Sequence, residues 1–169
     1  MATSFIHYME DDMDKGFWIN DWFMELVAEY IRQVVEKHRE HYPEWLLELS
    51  DDQLDLIRVG LMPGAIDLAI YEYLETTQHE DLFIEVLKKT KELLRSKGSE
   101  ISDEELTSYE MQKLEELRRI PLRSKTLGRT QSTGALIQII DEIIKMIVEK
   151  DNYNSEKHQP EFNFDLEKL

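Results

Sequence analysis

The 169-residue sequence contains no cysteine. This excludes disulfide bonds, thiolate nucleophiles and the zinc or iron–sulfur sites that need cysteine ligands, and it fits a reducing compartment. Proline and glycine are scarce, at four and six residues, so the chain is neither collagen-like nor of low complexity. We therefore expect an ordinary folded chain, about one domain in length.

Long hydrophobic runs are missing too. The most apolar stretch, residues 135–148, is interrupted by Gln138, Asp141, Glu142 and Lys145, which is too polar for a bilayer span. Residues 1–17 carry acidic side chains and lack the basic and apolar regions of a secretory signal. We expect a soluble, cytoplasmic protein without a membrane partner.

Positive charge is in short supply. Twenty Lys and Arg residues against 36 Asp and Glu residues give a formal net charge of −16, which argues against nucleic acid or an anionic membrane as the main partner. Residues 1–85 hold 20 acidic and five basic residues, whereas residues 113–130 hold six basic and two acidic ones. The two regions are either solvated surfaces that attract each other within the fold or a dimer, or separate recognition surfaces.

Apolar residues recur at spacings of three and four, the helical period, over most of the chain. Helices are predicted from Asn20, Ser50, Pro63, Thr77, Ser102, and Ser132 or Thr133, with a single turn at residues 43–49. We therefore predict an all-α fold, a single-domain bundle of six or seven helices over residues 1–150. A polar C-terminal tail, residues 151–169, is predicted to be docked or disordered.

Local signals set the predicted helix ends. Asn20 is a suitable N-cap, and the helix that it begins should end by Tyr42, before Pro43. Capping boxes start at Ser50, Thr77 and Ser102, and the pair Lys97-Gly98 predicts a helix C-terminus. Residues 65–74 are apolar nearly all round, which is typical of a central helix. The helix after Ser102 has a narrow apolar stripe and is predicted to be peripheral.

Aromatic residues beside acidic ones form a first candidate site. Trp22 lies off the apolar stripe of the first helix, so at least one large aromatic residue in this region is expected to be exposed, as protein interfaces favour. Phe23 and Trp18 are expected to pack in the core. The residues predicted to bind a basic protein partner are Trp22, Trp45, Asp51, Asp52 and Asp55.

The basic connection over residues 118–134 forms a second candidate site. It combines guanidinium groups, hydroxyl groups and the free N–H groups of a helix start, which together suit a phosphate or a carboxylate. The alternative is N-capping with a solvated loop. The residues predicted to bind an anion are Arg119, Arg123, Lys125, Arg129, Ser132 and Thr133.

No pattern in the sequence names a reaction. His38 and His41 are three residues apart, but the chain lacks the Glu-x-x-His pairs of carboxylate-bridged di-iron bundles, and it lacks the common nucleotide-loop and metalloprotease motifs. We predict no catalytic residue, metal or cofactor.

These observations favour a non-enzymatic acidic interaction protein, an inhibitor or immunity-type binder of a basic protein partner. One alternative is a helical domain that binds or acts on a small anionic ligand at residues 118–134. A second alternative is a structural homo-oligomer, in which the basic connection of one copy docks on the acidic half of another.

Overall fold

The computed structural model describes residues 3–9, 15–59, 67–116 and 130–154. Its α-helices are α1 (Asp21–Lys37), α2 (Glu44–Glu48), α3 (Asp55–Arg58), α4 (Thr77–Ser96), α5 (Asp103–Glu116) and α6 (Thr133–Glu149). Its strands are β1 (Thr3–His7), β2 (Gly16–Asn20), β3 (Asp67–Ala69), β4 (Glu100–Ile101) and β5 (Gln131–Ser132). None of the helices in these ranges combines the length and the hydrophobicity that a membrane-spanning segment needs.

The predicted all-α bundle of six or seven helices is wrong, because this mostly helical chain also forms two small sheets. In the first sheet, β1 pairs antiparallel with β2 and parallel with β3, so β1 is the central strand. The second sheet pairs β4 with β5. All of residues 4–7 are buried, so β1 lacks the polar–apolar alternation by which a half-exposed strand is recognised.

The predicted central helix over residues 65–74 is also wrong. Its described part begins with β3 and continues as a 3-10 turn, Ile70–Glu72. The burial that the pattern indicated is present, since Leu68 and Ile70 are almost fully buried. A short continuous apolar run fits a buried strand as well as a buried helix, and periodicity alone does not separate the two.

The start of α1 is confirmed, because the Asn20 side chain accepts a hydrogen bond from the Trp22 backbone N–H at 2.9 Å. The helix ends at Lys37, earlier than predicted, because His38 leaves helical geometry at φ −128° and ψ 25°. A separate 3-10 turn follows at Arg39–His41. The core lies where α1 packs against α4, α6 and the inner side of the first sheet.

The capping box predicted at Ser50 is wrong. The chain stays helical from α2 through a π-helical segment, Leu49–Leu54, into α3. Ser50 is fully buried, and its hydroxyl has no hydrogen-bond partner within the described structure. The side chain therefore faces the interior and caps no helix.

The later helices follow the predicted boundaries closely. α4 is capped by Thr76, one residue before the predicted cap, and Gly98 after its end has φ +89°, as the Lys97-Gly98 signal requires. Ser102 accepts a hydrogen bond from the Glu105 N–H, and Ser132 accepts one from the Ala135 N–H. These contacts confirm the predicted starts of α5 and α6.

Candidate acidic groove between α1 and α5

A groove of about 370 Å³ lies between α1 and α5. Its α1 side presents Leu26, Glu29, Tyr30 and Gln33. Its other side presents Ser102, Glu104, Glu105, Leu106, Ser108, Tyr109 and Gln112. Three carboxylates, two tyrosine rings and two leucines thus border one concave surface, which we call the acidic groove.

The two helices that form the groove differ in how many of their side chains are buried. Eight side chains of α1 are buried, whereas α5 has Leu106 as its one buried side chain. α5 carries six acidic residues and a single basic one, Lys113. The peripheral position predicted for this helix is therefore confirmed, and most of its carboxylates face water or the groove.

The three groove carboxylates have different surroundings. Glu104 is exposed. Glu29 is half-buried, accepts a hydrogen bond from Gln33 at 2.7 Å and lies 3.8 Å from the Nε atom of Arg58. Glu105 accepts hydrogen bonds from the Tyr30 hydroxyl at 2.7 Å and from the Lys97 ammonium at 2.6 Å. Among the described residues, Glu29 and Glu105 thus have a cation within 4 Å, whereas no ion pair is present for Glu104.

Lys97 lies at the edge of the acidic groove, just after α4. Its ammonium group is 5.3 Å from the centroid of the Tyr30 ring, within the range of a cation–π contact. Burial acts to raise the pKa of Glu105, but the hydrogen bonds from Lys97 and Tyr30 outweigh it and lower this pKa below its usual value. Burial and Glu105 together raise the pKa of Tyr30, so the tyrosine stays a neutral donor at physiological pH.

Polar contacts fasten α5 to its neighbours. Arg58 on α3 is 4% exposed and donates to Glu116 at 2.6 Å and to Asp55 at 2.7 Å. The Tyr109 hydroxyl donates to the backbone oxygen of Arg58, and Lys113 pairs with Glu25 of α1. These contacts link α5 to α3 and to α1, the helix on the opposite side of the groove.

The predicted aromatic anchors lie outside the set that lines the groove. Trp22 is half-buried, with its ring centroid 6.3 Å from that of Tyr109, and Trp45 is half-buried and stacks on His79 at 4.4 Å. Trp18 is the exposed aromatic residue of this region, with 55% of its surface accessible, so its predicted place in the core is wrong. Phe23 packs against the core as predicted.

Of the three aspartates that were predicted to bind a partner, two form ion pairs within the chain. Asp51 accepts two hydrogen bonds from the Arg39 guanidinium, which lower the pKa of this carboxyl. Asp55 pairs with Arg32 at 3.1 Å and with Arg58 at 2.7 Å. Asp52 is exposed. The role of these residues in partner binding stays a prediction.

The predicted anion site falls largely outside the described residues, since Arg119, Arg123, Lys125 and Arg129 lie in the range 117–129. Ser132 caps α6, and Thr133 is 3% exposed and donates to the backbone oxygen of Gly98 at 2.7 Å. Both hydroxyls thus make hydrogen bonds within the chain. The anion site and the homo-oligomer remain predictions.

Sequence reasoning missed the groove residues Glu29, Tyr30, Glu104 and Glu105. The available signal was the acidic composition of α5 beside its narrow apolar stripe. In the described ranges, no group of three or more histidine, aspartate or glutamate side chains is arranged to hold a metal ion. Comparisons of the chain with protein-family models, curated proteins and solved structures found no match.

Proposed function

We propose that this protein is a non-enzymatic binder of a basic protein partner, and that the partner docks on the acidic groove between α1 and α5. One observation carries the proposal: a lysine ammonium is already held at the groove edge by a carboxylate and a tyrosine ring. The same groups suit the lysine or arginine side chains of another protein.

The charge of the molecule supports this proposal. The chain carries a formal net charge of −16, and opposite charge on a partner would speed the encounter and favour the correct orientation. Carboxylates on a protein surface can occupy positions where a partner would otherwise bind phosphates. An inhibitor or immunity-type role against a protein with a cationic active site fits this chemistry. We place the interaction in the cytoplasm, because a chain without cysteine fits a reducing compartment.

The test is binding of a fluorescently labelled oligo-lysine peptide to the full chain at several salt concentrations. The groove variant carries Glu29→Gln with Glu104→Gln. The control variant carries Glu75→Gln with Glu92→Gln, two exposed residues outside the groove lining, so both variants lose the same charge. We expect the groove variant to bind about fivefold or more weaker than the control, with a flatter salt dependence.

Equal weakening by the groove and control variants would show that the peptide responds to net charge alone, and the proposed docking site would then be wrong. Circular dichroism of each variant checks that the helical content is unchanged, so that a loss of binding is not a loss of folding.

A further inference from the structure

Lys97 contacts the edge of the acidic groove in the way that a bound cationic ligand would. The lysine follows the C-terminus of α4 and reaches the groove edge, where its ammonium contacts the Oε1 atom of Glu105 at 2.6 Å. The Tyr30 hydroxyl donates to the same oxygen at 2.7 Å. The tyrosine therefore orients the carboxylate, and the lysine occupies the cation position that results.

The ion pair between Lys97 and Glu105 is exposed enough for a cation of another molecule to replace Lys97. The side chains of Lys97 and Glu105 are 21% and 37% exposed, whereas those of Lys113 and Glu25, a second Lys–Glu pair of α5, are 18% and 12% exposed. A pair of partly hydrated charges contributes little to stability, since water solvates each partner after separation. Glu105 is thus solvated after separation and Lys97 can leave it at a small cost, whereas separation of Lys113 from Glu25 would leave a carboxylate that is largely shielded from water.

We infer that Lys97 is an internal occupant of a cation site formed by Tyr30 and Glu105, and that a lysine or arginine side chain of the basic partner replaces it on binding. This inference rests on the proposed function. Binding then exchanges one cation for another at Glu105, and Lys97 acts as a competitor that lowers the affinity for the partner. Removal of the lysine ammonium should consequently tighten binding.

The variant Lys97→Met tests this exchange, because methionine keeps most of the aliphatic chain and removes the charge. The matched control is Lys89→Met. Lys89 lies on α4, the helix that Lys97 follows, pairs with Glu85 at 2.7 Å and is 5.7 Å from the Tyr42 ring centroid. Its partner Glu85 is not a groove residue, whereas Glu105, the partner of Lys97, lines the groove. The two variants make the same change in net charge and remove similar contacts. The probe is the labelled oligo-lysine peptide, added to the full chain.

We expect Lys97→Met to bind the peptide about two- to fivefold more tightly than Lys89→Met, the size of one partly exposed ion pair. Combining Lys97→Met with Glu105→Gln should abolish this gain, because the carboxylate for which Lys97 and the peptide compete is then absent. Equal affinities of the two lysine variants, or a gain that persists without Glu105, would overturn the exchange.

The exchange and the proposed function can fail separately. If Glu29→Gln with Glu104→Gln binds like its control, the groove is not the docking site and both ideas fall. If those variants weaken binding as expected but Lys97→Met matches Lys89→Met, the groove binds the peptide and Lys97 does not compete for it.

Discussion

At the scale of single residues, Lys113 and Glu25 show how burial and an ion-pair partner together set the pKa of a carboxyl group. Burial raises the pKa of Glu25 and outweighs the opposite effect of Lys113, so the folded chain binds a proton here more readily than an unfolded chain does. The ionised carboxylate is therefore costly even when paired. Glu105 behaves in the opposite way, because Lys97 and Tyr30 outweigh its burial and lower its pKa.

A prediction follows for Lys113→Met. Loss of the ammonium leaves Glu25 without its cation, so the free energy of unfolding at neutral pH should fall by about 3 kcal/mol. A raised pKa in the folded state means that the penalty for ionisation disappears as pH falls and Glu25 takes up a proton. The difference in stability between this variant and the original chain, measured by urea unfolding, should therefore shrink from neutral to mildly acidic pH.

The double variant Glu25→Gln with Lys113→Met is the control for that series. It should recover most of the lost stability at neutral pH, since it removes both charges together. A loss that is independent of pH, or one that the double variant does not recover, would show that packing of the lysine chain rather than charge is responsible.

At the scale of elements, α5 differs from α4 and α6 in the kind of contacts that hold it against the rest of the protein. α4 buries six side chains and α6 buries seven, whereas α5 buries Leu106. Much of its attachment comes from polar contacts, which include Glu116 with Arg58 and Glu105 with Lys97. An element with few buried apolar contacts opens at a lower free energy than the core does.

We therefore predict faster amide hydrogen exchange in α5 than in α4 or α6. Raising the sodium chloride concentration should accelerate exchange in α5 selectively, because salt screens its partly exposed ion pairs and leaves apolar packing in place. Mass spectrometry of peptides from the full chain measures this. Exchange rates in α5 equal to those in α6 at both salt concentrations would contradict the prediction.

At the scale of the whole molecule, a single core joins the first sheet to the long helices. Leu87 of α4 and Ile140 of α6 are fully buried in it, beside side chains from α1 and β1. Deleting part of such a side chain removes apolar contacts and leaves a cavity.

Leu87→Ala and Ile140→Ala are each predicted to lower the free energy of unfolding by about 2–5 kcal/mol. Val148→Ala is the control on α6, because Val148 is 64% exposed and its truncation should change stability by less than about 0.5 kcal/mol. Chemical denaturation of the three variants makes the comparison. Losses of similar size for Ile140 and Val148 would show that the buried side of α6 is misassigned.

The amino-acid sequence determined the features that depend on near neighbours in the chain. The cap at Asn20, the cap at Ser102 and the left-handed Gly98 follow from hydrogen bonds and backbone preferences within a few residues. The amphipathic stripe of α6 is of the same kind, because its period is visible in one segment. These features were predicted and are confirmed.

Only the tertiary structure decided the features that depend on distant segments. β3 is a strand because β1, more than 50 residues earlier, provides its hydrogen-bond partners, and Ser50 faces inward because packing against α1 keeps the chain helical through it. The acidic groove likewise needs α1, the end of α4 and α5 side by side. The residues of an apolar run or an acidic helix do not indicate which distant segments will pack beside it. The fold class was therefore mispredicted, and Tyr30, Lys97 and Glu105 were not recognised as one site.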